Sequence, residues 1–296
     1  MKLITRREVI KKGSRLLVGA ATCTFFHSIP AGCSKPEPVS RVAAQLMRTT
    51  RDADLGDIRL QVVYDNVPHS DGLRTDWGFA CLVEGIGKTL LFDAGRYDDI
   101  FMRNLSKMGI DPHQIDALFL SHDHPDHTGG SLRLLDQRRQ LDVYLVDAFP
   151  SGFKSTLQKQ GAAVIETQSP CQVAPCCLST GEMTSWVKNE QALIILTDKG
   201  LIIITGCAHP GVVEIVEKTK LLTGMDVLLV AGGFHLLMDN ASSIRKKALR
   251  LKELGVRFVA PSHCTGSQAR KLLAEVYESR FIHSGVGRMI NGGDLG

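Results

Sequence analysis

Six consecutive residues, 122–127, read H-D-H-P-D-H and so hold three imidazoles and two carboxylates, between an apolar L-F-L-S and a T-G-G. In extended chain, side chains two apart point the same way, so His122 and His124 can reach toward one point. Pro125 and the run Thr128, Gly129, Gly130 then turn the backbone, which lets Asp126 and His127 face a second point nearby. Neutral imidazole and carboxylate are ligands for a borderline divalent cation such as zinc, manganese or iron. The stretch therefore reads as half of a metal centre, or of two centres side by side. The competing reading is a polar loop whose histidines cap a helix or meet solvent.

A centre for two ions needs donors from elsewhere. His209, His235 and His263 each follow an apolar stretch and sit amid small residues: T-G-C-A before His209, G-G before Phe234 and His235, P-S before His263. Loops with little side-chain bulk are where backbone can approach an ion or a substrate. Any one of these histidines alone would read as a hydrogen-bonded loop residue; it is the shared placement that marks them.

The H-x-H-x-D-H spacing after a strand, followed by T-G-G, resembles the metallo-β-lactamase superfamily. L-L-F-D-A-G at 90–95, T-G-C-A-H-P-G at 205–211, G-G-F-H at 232–235 and P-S-H-C-T-G at 261–266 agree, and together resemble the branch of ribofuranosylaminobenzene 5'-phosphate dihydropterin synthase-like metallo-hydrolases. The resemblance covers about residues 58–291. It implies an αββα sandwich with the site at one edge, and a late histidine, His263, that completes a second metal with Asp126 and His127. The chain departs from the pattern in having no histidine between His127 and His209, and the acid that bridges two metals in the superfamily falls near Cys207. Two assignments follow: His209 gives the third nitrogen to the His122/His124 metal, or Cys207 gives a thiolate bridge. The first is preferred, so the expected ligands are His122, His124, Asp126, His127, His209 and His263.

Asp93 is expected to brace the metal loop, as the corresponding acid does in the family. His235 is a ligand, a proton donor or a substrate contact, and with Asp126 is placed in the catalytic set. Glu182 and Trp77 are candidates for the substrate pocket by resemblance, while Asp123 is assigned only to solvent. The cofactor is a divalent metal, two zinc ions in the first instance, with iron or manganese open. Two such ions would make water a hydroxide near neutral pH, able to attack an ester, lactone or phosphodiester-like small molecule. The rivals are carbon–carbon or carbon–nitrogen bond chemistry of the synthase kind, β-lactam hydrolysis, and a non-catalytic periplasmic protein that binds metal and a small molecule.

The elements that must position these residues are legible as apolar runs. Strands are expected at 58–64, 79–83, 89–92, 115–120, 143–146 and 163–166, then at 192–197, 201–205, 227–230 and 256–260. Helices are expected at 98–108, 131–135, 152–160, 212–222, 244–254 and 267–277. Two sets of hairpin strands, each followed by helices alternating with apolar strands, imply an α/β protein of two mixed sheets face to face with helices outside. Of the eight cysteines, Cys171, Cys176 and Cys177 share one loop, where a disulfide from Cys171 to Cys176 or Cys177, or a soft metal, is conceivable. Cys207 and Cys264, beside expected ligands, read as reduced and facing the metal.

The formal charge of +4 belongs to the N-terminus: without the six Lys/Arg and one acid of residues 1–33, 29 basic and 30 acidic residues remain. Charge therefore gives no support for nucleic-acid binding. Residues 1–33 combine a basic segment, a short apolar segment and small residues, the make-up of an export signal. Thr5, Arg6 and Arg7 with Lys11 resemble the twin-arginine motif, and Ala31, Gly32 and Cys33 a lipoprotein box with Cys33 acylated. The division is thus an export signal at 1–33, a linker at 34–57 and a domain at 58–296. The protein is expected to be exported, periplasmic or lipid-anchored, touching membrane only through the signal or the lipid.

Overall fold

The computed structural model describes residues 45–50 and 52–296. The expected leader, Cys33 and most of the linker lie outside the described residues. In chain order the first half comprises β1 (Arg59–Asp65), β2 (Phe79–Glu84), β3 (Leu90–Phe92), α1 (Asp98–Lys107), β4 (Ala117–Phe119), α2 (Pro125–Thr128), α3 (Ser131–Gln137), β5 (Asp142–Leu145), α4 (Ser151–Lys159) and β6 (Ala163–Glu166). The second comprises β7 (Cys171–Ala174), β8 (Cys177–Ser179), β9 (Leu193–Thr197), β10 (Gly200–Thr205), α5 (Val212–Thr223), β11 (Val227–Gly233), α6 (Ala241–Glu253), β12 (Phe258–Ser262), α7 (Ser267–Tyr277) and β13 (Met289–Asn291).

The strands form a seven-stranded sheet, ordered β13-β1-β2-β3-β4-β5-β6, and a six-stranded sheet, ordered β12-β11-β10-β9-β8-β7. Both are mixed: β1, β2 and β3 run antiparallel and β3 to β6 parallel, while β7 to β10 run antiparallel and β10 to β12 parallel. The central strands β9, β10 and β11 are buried at every position because both faces of the sheet are covered there. In β9, Leu193 and Ile195 enter the core between the sheets, whereas Ile194 and Leu196 enter a second core beneath α5, α6 and α7. In β4, Ala117 and Phe119 face between the sheets, whereas Leu118 enters a third core beneath α1, α3 and α4. Three apolar layers separated by two sheets give the four-layer αββα sandwich.

The core also sets the register of the site. The rings of Phe92 and Phe119 stack at 5.4 Å between the sheets, and β3 pairs with β4 so that Phe92 lies opposite Phe119. Asp93 follows the first ring directly, and Ser121 lies two residues beyond the second, so this packing brings both to one place. Truncating such a buried ring costs about 3–5 kcal/mol.

Three elements were not foreseen. Residues 171–179 form a hairpin rather than a loop, with Cys171 opposite Ser179 and Ala174 opposite Cys177. That register puts Cys171 at the far end from Cys176 and Cys177, and no disulfide joins any two of the three. The disulfide expectation is therefore corrected: neighbours in sequence are separated by the antiparallel pairing. β13 adds a short edge strand to β1, too brief to show periodicity. Ala53 and Leu55, assigned to the linker, are buried, and Ala53 pairs beside Thr197 of β9.

Candidate metal centre

The C-terminal ends of β3 and β4 in one sheet, and of β10, β11 and β12 in the other, release loops that meet at one edge of the sandwich. The 93–96 and 127–130 segments are zipped by hydrogen bonds from Ala94 N–H to His127 O (2.7 Å), Gly129 N–H to Gly95 O (2.8 Å) and Gly130 N–H to Ala94 O (3.1 Å). So close an approach requires glycine, since a Cβ on Gly129 would run into the Arg96 carbonyl. Pro125 starts the single turn α2, with His124 as its N-cap, and this turn swings Asp126 and His127 away from His122 and His124.

Five overlapping three-donor groups result, and two of them hold the six expected ligands. The first brings together His122, His124 and His209, and the second Asp126, His127 and His263, with the ligand atoms in each group within 4.8 Å of one another. All six expected ligands thus meet at one edge of the molecule. In the second group His127 Nε2 lies 3.2 Å from His263 Nε2, and Asp126 Oδ2 lies 3.6 Å and 3.4 Å from those two nitrogens. With zinc–ligand bonds of about 2.0–2.2 Å, a tetrahedral ion has ligand-to-ligand edges of roughly 3.3–3.6 Å. The donor triangle matches those edges. In the first group His122 Nε2 and His124 Nδ1 are 3.1 Å apart, and the His209 ring lies 4.6 Å from that of His122.

The remaining ring nitrogens decide where the lone pairs point. His127 Nδ1 donates to Asp93 Oδ2 at 2.7 Å. Ser121 Oγ gives its proton to the same oxygen at 2.8 Å and so accepts from His122 Nδ1, also at 2.8 Å. His209 Nδ1 donates to Glu190 Oε2 at 2.8 Å, and His263 Nδ1 to Asn66 Oδ1 at 2.9 Å. Each of these four imidazoles, fixed in tautomer by a partner behind it, aims the lone pair of Nε2 into the centre. Two such lone pairs 3.2 Å apart, on His127 and His263, repel unless a cation stands between them. The donor set therefore fits a divalent metal.

Electrostatics agree with this. Burial, then the neighbouring imidazoles, push His122 well below the ordinary histidine range, and burial with His209 lowers His124. Burial also opposes the charge on His127, but Asp93 outweighs it and lifts the pKa to about 9. In the metal-free chain the cation at that position is thus a proton. Burial would raise Asp126, yet hydrogen bonding to His263 and the charge of His127 hold it well below the carboxylate range. The backbone is strained in the same place: Asp93, Ala208, His235 and His263 all have positive φ, between 48° and 60°.

Asp93 takes the bracing position expected of it. Cys207 and His209 do not exclude each other, because Cys207 Sγ lies 3.3 Å from His127 Nε2, between the two groups, while His209 joins the first. His235 is exposed at the mouth, its ring 4.6 Å from that of His209. Trp77 stands with its ring 4.8 Å from that of His263. Glu182 does not join the donors; its carboxylate accepts from Ala148 N–H and Asn189 Nδ2, tying two loops together. Asp123, assigned to solvent, pairs with Lys188 at 2.8 Å.

Glu190 was missed. Fully buried, it accepts from the N–H groups of Cys207, Ala208 and His209, each at 2.9 Å, as well as from the His209 ring. Burial opposes its charge, but the bonds from His209 prevail and hold its pKa below the usual value. The available cue was an acid only three residues before the fully buried β9. Asp65, the last residue of β1, and Asn66 just after it were likewise passed over. Asp65 Oδ1 accepts from His263 N–H at 3.2 Å.

A family model for the metallo-beta-lactamase superfamily matches residues 78–176. A protein of Methanocaldococcus jannaschii named 7,8-dihydropterin-6-methyl-4-(beta-D-ribofuranosyl)-aminobenzene-5'-phosphate synthase is 28% identical over 261 residues, covering 72% of this chain and 89% of its own. Among solved structures, a metal-dependent hydrolase of the beta-lactamase superfamily superposes with a TM-score of 0.68 at 24% identity, over 79% of this chain and 98% of that one. The short form of human tRNase Z superposes with a TM-score of 0.54 at 14% identity, over 79% and 98%. The chain thus shares the fold of these proteins, and its H-D-H-P-D-H loop lies within the span that the metallo-beta-lactamase superfamily model matches.

Proposed function

We propose that the chain is a metal-dependent hydrolase acting on an ester, lactone or phosphodiester-like small molecule. The observation that carries this reading is the triangle of Asp126, His127 and His263 donors, 3.2–3.6 Å on a side, with lone pairs converging. His122, His124 and His209 would hold one divalent cation and Asp126, His127 and His263 the other, with Cys207 between them. Zinc is the first choice for such a set, with iron or manganese as alternatives.

Bound there, divalent cations supply Lewis acidity and lower the pKa of water to near neutrality. The chain's own residues do the rest. Asp93, Glu190 and Asn66 keep the imidazole lone pairs aimed. Asp126, held ionised, would hold one cation and accept a hydrogen bond that orients the attacking water. His235 stands where a leaving group would depart, and a hydrogen bond to Cys264 raises its pKa against the effect of burial, which favours the proton-donating form. No serine or cysteine nucleophile is needed. The test is the metal-loaded chain, with metals counted per molecule, against ester, lactone and phosphodiester panels. Turnover that Asp126→Ala abolishes is expected; no turnover on any panel overturns the reading.

The name of the Methanocaldococcus relative favours a second reading, carbon–carbon or carbon–nitrogen bond formation with the metals as Lewis acids alone. Assaying the chain with a pterin and a phosphoribosyl-aniline decides between the two. A third, a non-catalytic periplasmic protein, predicts tight metal and ligand binding without rate. The make-up of residues 1–33 supports twin-arginine export with a lipid on Cys33. Among the described residues no helix is long and apolar enough to cross a membrane.

A further inference from the structure

Cys264 lies on the inner wall of the centre, buried, and the two groups above give it no task. We propose that Cys207, Cys264 and His263 form a second, overlapping donor set that captures a soft d10 cation, of the class of monovalent copper, silver or cadmium, in competition with the Asp126/His127/His263 group.

The ligand atoms of the three all lie within 4.8 Å of one another, and all three residues are buried. Two sulfurs and one imidazole nitrogen are soft donors, and such a set selects soft ions over harder ones. Gly233 keeps the space beside Cys264 Sγ clear, for a Cβ there would meet the Gly206 carbonyl and sit 2.6 Å from that sulfur. Cys264 Sγ donates to the Cys207 carbonyl at 3.5 Å, a weak bond that a metal can replace. His235, hydrogen-bonded to Cys264 and exposed at the mouth, marks the way in.

Capture exchanges protons for the ion: each thiol loses one proton to solvent, two sulfur–metal bonds form, and no electrons are transferred. His263 has one lone pair at Nε2, so it cannot serve both ions. A soft cation in the sulfur set therefore removes a ligand from the second hydrolytic site. This proposal rests on the metal-centre reading through two shared residues, that histidine and Cys207, which stands between the two groups.

The full chain, stripped by chelation and reloaded with zinc, is titrated with cadmium ion alone while thiolate-to-cadmium absorption and released zinc are followed. One cadmium per chain with a two-sulfur absorption band, and displacement of one zinc, is expected. Loss of an outer partner of a ligand already costs about 10–100-fold in affinity, so Cys264→Ser should weaken cadmium by at least about tenfold and halve the band. An unchanged band in Cys264→Ser, or no band in the parent, overturns the proposal. Should the variant fail to fold, X-ray absorption of the cadmium-loaded parent counts sulfurs: two support the site, one or none refute it. A chain that retains no zinc on reloading sinks the hydrolytic centre instead, and the sulfur count still decides this site.

Discussion

The two sheets supply the centre in different ways. The seven-stranded sheet delivers four donors, His122, His124, Asp126 and His127, from one loop, with the spacing fixed by Pro125 and a single helical turn. The six-stranded sheet delivers His209, His235 and His263 from three loops, each ending a different strand. Contiguous donors are placed by local geometry, so the loop between β4 and α3 is nearly self-sufficient. Dispersed donors need long-range braces. Glu190 gathers the 207–209 loop by four hydrogen bonds, and Asp65 at the end of β1 and Asn66 just after it hold His263 across 198 and 197 residues of sequence.

The largest test of this contrast is Asp126→Ala, which removes the one carboxylate of the contiguous loop that enters a donor group. Hydrolytic rate should fall by roughly 10²–10⁴-fold, with metal content dropping from two per chain toward one by elemental analysis. An unchanged metal count would show that the second group does not work as a unit. On the dispersed side, Glu190→Gln exchanges an acceptor for an N–H donor facing His209. Affinity for the first ion should fall by about 10–100-fold, and the loss of buried acceptors should cost about 1–3 kcal/mol in chemical denaturation. If both stay at the parent's values, the brace is not what places His209.

The pH dependence sharpens the same comparison. His127 in the metal-free chain has its pKa raised to about 9 by Asp93, against the effect of burial. Below that pH a proton occupies the nitrogen a metal needs, so affinity for the second ion should rise with pH and level off near 9. Calorimetry at pH 8 in two buffers of different ionisation enthalpy should show proton release on metal binding. For stability without metal the sign is opposite. A raised pKa stabilises the folded state fully below the ordinary value of 6.5 and loses that contribution as pH climbs through about 9. The metal-free chain should therefore be easier to unfold at pH 10 than at pH 7. The smallest effect belongs to Lys188→Ala, which breaks a partly exposed pair with Asp123. It should change stability by no more than about 1 kcal/mol and leave metal content unaltered.

How far the sequence could be read follows the same division. The apolar runs placed the main strands and helices, because strands covered on both faces leave an uninterrupted signature, as 193–196 does. The H-D-H-P-D-H loop was legible because its geometry is local. His209 and His263 were reachable through their small-residue settings and the family resemblance. Glu190 and Asn66 were not, because nothing in their neighbourhood records the partner each reaches in the fold. Residues 171–179 misled for a related reason: three cysteines close in sequence read as one cluster, and only the pairing of β7 with β8 sets Cys171 apart.

Asp93 carries a further consequence. The same Oδ2 receives the His127 ring directly and the Ser121 hydroxyl that steadies His122. A single oxygen is thus the common hinge-pin of both halves of the centre, and neither half can be retuned by evolution or design without disturbing the other.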